Sequence, residues 1–507
     1  MVAVHTDAAD GGRTLSVSGG ARPGVATGLW LTAAGFIAVE LAVSPGYGFH
    51  PDELYFLVAG RRPALGYVDQ PPLAPLLTRL ATSLFGDSPS AVRLMPALAG
   101  GALVIVAGLT ARLLGGRGRA QVLAALAVGC APVTLAAAHL ANTTIYDMLA
   151  WSAITALTIA AVLHDRPRLW LAVGAVTGIG LEAKDLPLLL VIALLAGLAV
   201  TGRWRALWTP WLPAGAAVAV ALWAPNLAWQ ATHGWPALTM SRTLSAEHSA
   251  LGDYVTVLPA QLIYLGLAAV PLAFAGLRRL AHDPALRFLA VASGVVLLFV
   301  VADIPGRPYY TAGLLPVVFA AGAATIEARA ADRRGLRAWL LAPPAGAALG
   351  AALILPILPI AVIGQLPFLH KLNYDLGATV GWPQLTSQVA QVYDSLPPAE
   401  RVGASIFTSN YGEAGAISLY GPRLGLPPPL SGNNNYALWG PGSAPDRTVV
   451  AVGAGQQLRP FFHSCVAAAT FRSPHGVSND ENGVAIVRCT GPRAPWRAFW
   501  SHLRHYG

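Results

Sequence analysis

The sequence predicts a polytopic α-helical membrane protein of about eleven spans that ends in a small extracytoplasmic α/β domain. Three observations carry this. Only 11% of the 507 residues are charged and 55% are hydrophobic, where a soluble protein carries roughly 25% charged residues. Mean hydropathy is +0.54. The apolar residues gather into eleven runs of helix length, and the last stretch returns to mixed composition. Together these exclude a set of ordinary soluble domains and a disordered chain. With three cysteines, they also exclude a disulfide-rich secreted scaffold.

Residues 1–23 hold His5, Asp7, Asp10, Arg13 and Arg22 and no apolar run, so they read as a cytoplasmic polar tail rather than a cleavable signal. Residues 24–365 form the expected transmembrane domain. A span needs about 20 mainly apolar residues. The runs are Gly24–Val43, Ala91–Leu113, Ala120–Leu140, Ile145–Leu163, Leu169–Leu181, Leu186–Val200, Leu207–Trp223, Val255–Leu277, Ala285–Ala302, Tyr310–Ile326 and Trp339–Gln365, the fifth and sixth being short.

Charge orients this arrangement. With the N-terminus inside, the inner segments hold 16 of the 33 basic residues and the outer loops before residue 366 hold seven; the other ten lie beyond it. The positive-inside rule therefore places 366–507 outside. The net charge of +9 is a topology signal and implies no nucleic-acid partner. Inner loops are short and basic. The outer face receives a long first loop, 44–90, a second at Pro225–Tyr254, and the C-terminal domain, so function is expected there.

Within 366–507, Val402–Phe407, Thr448–Val452 and Ala485–Cys489 read as strands and Glu413–Tyr420 as a helix between them. Pro427-Pro428-Pro429 and Asn433-Asn434-Asn435 read as loops. Cys465 and Cys489 would share an oxidising compartment, where a disulfide or two free thiols are both open readings. Cys130 reads as a packing residue of a span.

Ionisable groups at the ends of membrane helices are costly and tend to be functional. Past the first run, Phe49-His50-Pro51-Asp52-Glu53-Leu54-Tyr55 sets two carboxylates at an apolar edge. One is a candidate general base; both also suit a helix N-terminus. Gly66-Tyr67-Val68-Asp69-Gln70-Pro71-Pro72-Leu73 follows in the same loop, stiffened by its prolines.

These two motifs, with an outer loop of this length, resemble membrane glycosyltransferases of the GT-C class. The closer resemblance is to the bacterial branch of the dolichyl-phosphate-mannose protein mannosyltransferase family, which includes the lipid A aminoarabinose transferases. The resemblance implies an inverting enzyme of the bacterial cytoplasmic membrane. It would move a sugar from a polyprenyl-phosphate carrier to an envelope acceptor (protein, lipid or polysaccharide) on the outer face. It places Asp52 at the position of the family's base. Gln70 stands where the aminoarabinose transferases carry lysine, which removes a positive charge near the donor phosphate. Glu53, Tyr55, Asp69 and Gln70 become candidate substrate-binding residues.

Asn142-Thr143-Thr144-Ile145-Tyr146-Asp147 opens the fourth run from outside; the resemblance makes Asp147, at the place of a second family aspartate, a catalytic candidate beside Asp52, and a helix-start carboxylate is the plainer reading. Glu182-Ala183-Lys184-Asp185 holds the only lysine before residue 371, on the outer side. Lys184 suits a carrier phosphate or a local pair with Glu182 or Asp185. Arg307, before Tyr309 and Tyr310, suits the same phosphate through its planar fork, and the two tyrosines suit either the donor site or an interface belt. Some family members hold a divalent ion between a histidine of the 225–254 region and an acidic residue of the first loop. His233 or His248, with Asp69, would be the matching set, although a lone imidazole is more often no ligand. Tyr411-Gly412-Glu413 and the Asn433–Asn435 run offer sugar-binding chemistry, with Glu413 approaching the membrane cavity, or ordinary loop chemistry. The competing functional class is a lipid-linked sugar transporter or flippase. It needs no base, and the matching Gly/Pro-broken halves expected of one are not evident.

Overall fold

The computed structural model describes residues 24–247, 251–303, 307–330 and 333–506; the polar tail 1–23 lies outside the described residues. Each of the eleven runs carries helix. With those of the intervening loops, the α-helices in order are α1 (Thr27–Val43), α2 (Pro51–Arg61), α3 (Leu73–Phe85), α4 (Pro89–Leu113), α5 (Gly118–Gly129), α6 (Pro132–His139), α7 (Thr144–Leu163), α8 (Leu169–Leu181), α9 (Leu186–Val200), α10 (Trp211–Thr232), α11 (Pro236–Glu247), α12 (Leu251–Leu265), α13 (Val270–His282), α14 (Arg287–Asp303), α15 (Leu315–Arg329) and α16 (Arg333–Ile354). By length and composition, five described helices are able to cross a membrane, or seven if each of two bent pairs counts as one. The other four runs, α1, α8, α9 and α14, are apolar helices of 13–17 residues.

Two runs read as single spans are broken. The third bends by 62° between α5 and α6, and the eighth by 85° between α12 and α13. Pro132 opens α6 and cannot donate to the preceding turn. Gly266 sits at φ 76°, a left-handed conformation that glycine adopts without steric cost. The two breaks touch, because a Cβ on Gly266 would lie 3.0 Å from Pro132 Cδ.

The loop expected at 44–90 is not irregular. It holds α2 and α3, and α3 buries Ala74, Thr78 and Ala81 while Leu76, Leu80, Leu84 and Phe85 face outward. The expected loop at 225–254 is helical over most of its length: α10 runs on through Pro225 to Thr232, followed by α11 and the start of α12. Asn226 and Gln230 on that extension donate to the carbonyls of Leu65 (3.1 Å) and Tyr67 (3.3 Å) and so hold the first loop.

The C-terminal part is built on a mixed five-stranded sheet of β1 (Ser405–Thr408), β2 (Pro429–Ser431), β3 (Val449–Val452), β4 (Phe462–Thr470) and β5 (Ala485–Pro492), in the order β2-β1-β3-β5-β4. β1 pairs in parallel with β2 and β3; β5 pairs antiparallel with β3 and β4. The three expected strands are present, and β2 and β4 are additional. Cys465 and Cys489, directly opposite on β4 and β5, form a disulfide. Its longer helices are α17 (Trp382–Asp394), α18 (Tyr411–Tyr420) and α19 (Trp496–Leu503), and a short helix over Asn434–Trp439 replaces most of the loop expected at Asn433–Asn435; α18 packs on α2 and α17.

Candidate active site

The N-terminus of α2 is fixed twice. His50 caps the helix: its Nδ1 accepts the Asp52 N–H at 3.2 Å, while Glu53 Oε2 accepts the His50 N–H at 2.8 Å. Glu53 is fully buried. Arg93 of α4 grips it with two bonds of 2.9 Å, and Ala141 N–H adds a third at 3.1 Å. Burial pushes the Glu53 carboxyl up, but the Arg93 charge and these hydrogen bonds hold it below its usual range. Arg93 also donates to Ser44, Gly46 and Gly48 carbonyls. Glu53 is therefore enclosed by protein donors, an anchor and not the substrate contact expected from the sequence.

Asp52, one residue earlier, turns the other way. It lines a cavity of about 950 Å³ together with His50, Arg307, Tyr309, Asp375 and Tyr411. Its Oδ1 accepts the Tyr411 hydroxyl at 2.8 Å. Asp375 Oδ1 lies 3.3 Å from His50 Nε2. Burial raises the Asp375 carboxyl, but the hydrogen bond from His50 holds the group below its ordinary value. Away from this polar end the wall is apolar. It is made by both helix breaks, through Cys130–Val133 and Leu262–Ala269, and by the Pro343–Ile354 stretch of α16. Asn142 and Thr144 border it at the start of α7. Arg307 and Asp52 lie in each other's field, and the buried Arg307 Nε has no protein partner among the described residues.

The remaining expected residues, Tyr309 excepted, do not line this cavity. Lys184 lies over the rings of Tyr310 (4.1 Å) and Tyr309 (5.1 Å), a cation–π arrangement. Of these three only Tyr309 lines the cavity. Asp147 is buried within α7, near enough to Lys184 to favour its charge. Tyr55 is buried and donates to Asp69 Oδ1 at 2.9 Å, while Asn434 Nδ2 donates to Asp69 Oδ2 at 3.2 Å. Asn435 Oδ1 accepts the Val68 N–H at 2.6 Å. The asparagine run is thus buried against the first loop, not open to sugar. Gln70 is buried, with its carbonyl taken by the Tyr67 N–H (3.0 Å). Glu413 does not reach the cavity as expected: it is fully buried, accepts Ser409 N–H (2.7 Å) and Oγ–H (2.8 Å), and caps α18. Burial beside Glu481 pushes its carboxyl well above the usual range.

The described donors do not assemble the expected divalent-ion site. Among the described residues no three His, Cys, Asp or Glu side chains gather into a metal-binding group. His233 is exposed, stacks on Trp229 at 4.1 Å and engages its carbonyl at 2.8 Å; His248 lies outside the described residues.

Burial pushes Asp69 from 3.8 up to about 7, against the bonds from Tyr55 and Asn434 and with help from the Asp52 charge. A folded value above the unfolded one means that stability from protonated Asp69 is complete below about pH 4 and lost as pH rises through about 7. Asp69→Asn keeps an acceptor for Tyr55 and is expected to flatten that decline. Thermal unfolding in detergent from pH 4 to 8 checks it; an equal slope in both proteins contradicts it.

With this geometry in place, the comparisons agree with the resemblance. Residues 69–229 match the family model for dolichyl-phosphate-mannose-protein mannosyltransferase. Two crystal structures of ArnT from Cupriavidus metallidurans share the fold. The one bound to undecaprenyl phosphate has TM-score 0.59 and 17% identity, covering 90% of this chain and 97% of that one. The apo form has TM-score 0.57 and 18% identity over 91% and 97%. No curated protein matches the chain. The chain thus shares the fold of these two structures, and the family model that matches part of it is the one the two loop motifs resemble.

Proposed function

We propose that the chain is an inverting membrane glycosyltransferase using a polyprenyl-phosphate sugar as donor and an envelope molecule as acceptor. One observation supports it above the rest: Asp52 and Arg307 line a single cavity that is ionic at one end and apolar along two helix breaks. A polyprenyl tail would lie along the apolar wall, where burying hydrocarbon gains about 25 cal/mol per Å². Its phosphate would meet Arg307, with Tyr309 beside it and Lys184 and Tyr310 adding positive field and packing from behind. Asp147 would act through Lys184, holding its charge. The acceptor oxygen attacks the anomeric carbon and passes its proton to Asp52. The bond from that carbon to the phosphate oxygen breaks, and polyprenyl phosphate leaves with the electron pair. Arg307 stabilises the charge it carries away.

In this reading residues 24–365 form the catalytic membrane domain with eleven spans, α1, α8, α9 and α14 included. The N-terminus is inside the bacterial cytoplasmic membrane and 366–507 outside. The Cys465–Cys489 disulfide supports an oxidising compartment for that domain. A transporter would have no need of a carboxylate oriented beside the phosphate-binding cation.

The test compares cells with and without the protein. Loss should accumulate a polyprenyl-phosphate sugar and remove one envelope glycan, both read by mass spectrometry; no change in either would end the proposal. Arg307→Met is expected to weaken donor use about 10- to 100-fold, the range for hydrogen bonds to a charged group, as a higher KM for the donor. An unchanged KM would remove Arg307 from the donor site.

A further inference from the structure

The C-terminal part does more than cover the cavity. We propose that Tyr411, delivered by α18, is the positioning residue that orients the Asp52 carboxylate for proton transfer. This rests on the functional reading above and adds a residue to it. The Tyr411 hydroxyl lies 2.8 Å from Asp52 Oδ1, and both residues face the cavity. The other oxygen, Oδ2, is 3.8 Å from His50 Nδ1, beyond hydrogen-bond reach, and that nitrogen already accepts the Asp52 N–H. One oxygen of the base is thus held, and the other is left for the acceptor. A free carboxylate would turn about its last torsion; the hydroxyl removes that freedom.

The tyrosine is itself tightly placed. Its N–H donates to Asn433 Oδ1 at 3.0 Å, and Asn410 and Glu413 cap α18 reciprocally. Its ring lies 5.0 Å from that of the buried Tyr55. Glycines bring α18 onto α2: a Cβ on Gly415 would lie 2.8 Å from Leu54 Cβ and 3.0 Å from Leu54 carbonyl oxygen, and one on Gly412 would lie 3.0 Å from Pro51 Cβ. Both ends of the hydrogen bond are therefore set by helices in backbone contact, one from the first outer loop and one from beyond the last long helix. In the mechanism the bond keeps Asp52 aimed at the acceptor oxygen and should act on turnover, not on donor affinity.

The experiment uses the full chain in phosphatidylethanolamine–phosphatidylglycerol vesicles. The donor probe is the polyprenyl-phosphate sugar lipid extracted from cells lacking the protein, with envelope from those cells as acceptor. Tyr411→Phe is expected to lower kcat about 10- to 100-fold, the span of a hydrogen bond to a charged group, while donor KM stays within about twofold and the unfolding temperature is kept. On an Asp52→Asn background the same change should alter the residual rate by less than about twofold, since the bond then has no base to orient. Gly415→Leu, which pushes α18 off α2 with Tyr411 intact, should reproduce the kcat loss. A full-rate Tyr411→Phe, or an equal loss on both backgrounds, overturns the inference. An inactive Asp52→Asn beside a full-rate Tyr411→Phe removes this inference and spares the functional reading; a fully active Asp52→Asn removes both.

Discussion

Asp52→Asn should fold, keep its donor affinity and lose sugar transfer by about 100- to 10,000-fold, the usual contribution of a positioned general base. The substitution is isosteric and retains an oxygen that can accept from Tyr411, so the hydrogen bond at 2.8 Å need not be lost. What disappears is the ability to take a proton as the acceptor oxygen attacks. The anchoring pair is untouched, because Glu53 and Arg93 lie on the opposite side of the helix start. A loss in kcat with an unchanged unfolding temperature is therefore the signature. A loss confined to donor KM would make Asp52 a binding residue, and full activity would dismiss it as the base.

The largest expected effect on stability is one residue further along. Removing one member of a buried ion pair costs about 3–5 kcal/mol, because the survivor is left uncompensated. Arg93→Met would strand Glu53, which has no exposed surface. It would also free the carbonyls of Ser44, Gly46 and Gly48 from their donor. Arg93 further touches His139 Nε2 at 3.4 Å, whose Nδ1 lies 3.3 Å from Glu40 Oε2, so the damage spreads to α1 and α6. Glu53→Gln should be milder, since an amide still accepts from Arg93. The double variant Glu53→Met with Arg93→Met should lose less than the sum of the losses from Glu53→Met alone and Arg93→Met alone. Unfolding in detergent, followed by near-ultraviolet circular dichroism, measures the series; a neutral Arg93→Met would show the pair to be dispensable.

The helices were legible because each apolar run is long relative to its neighbours and the charge bias is steep. The two breaks were less so. Pro132 and Gly266 lie inside apolar runs, and hydropathy averages across both. Asp52 could be read from its motif, yet Glu53 beside it has the same chemistry and the opposite role. That role is decided by Arg93, forty residues on. Tyr411 was named only as a sugar contact and Asp375 not at all, because neither carries a local pattern that points to Asp52 or His50; only the approach of α18 and the post-α16 segment gives them those partners. β4 escaped notice because its alanines and polar residues are mostly exposed, which erases the alternation that marks a strand.

That exposed strand has a consequence for how the protein must be made. β4 is the outermost member of its sheet and buries little side-chain surface, so desolvation contributes little to holding it in place. The covalent tie to its neighbour closes a loop across a sequence separation of 24, a constraint that in the chain-entropy view is worth about 3.5 kcal/mol. Maturation of this region thus depends on a thiol oxidant where it folds. A host that cannot supply one would produce a chain with its helices in place and a frayed sheet margin open to pairing with other chains.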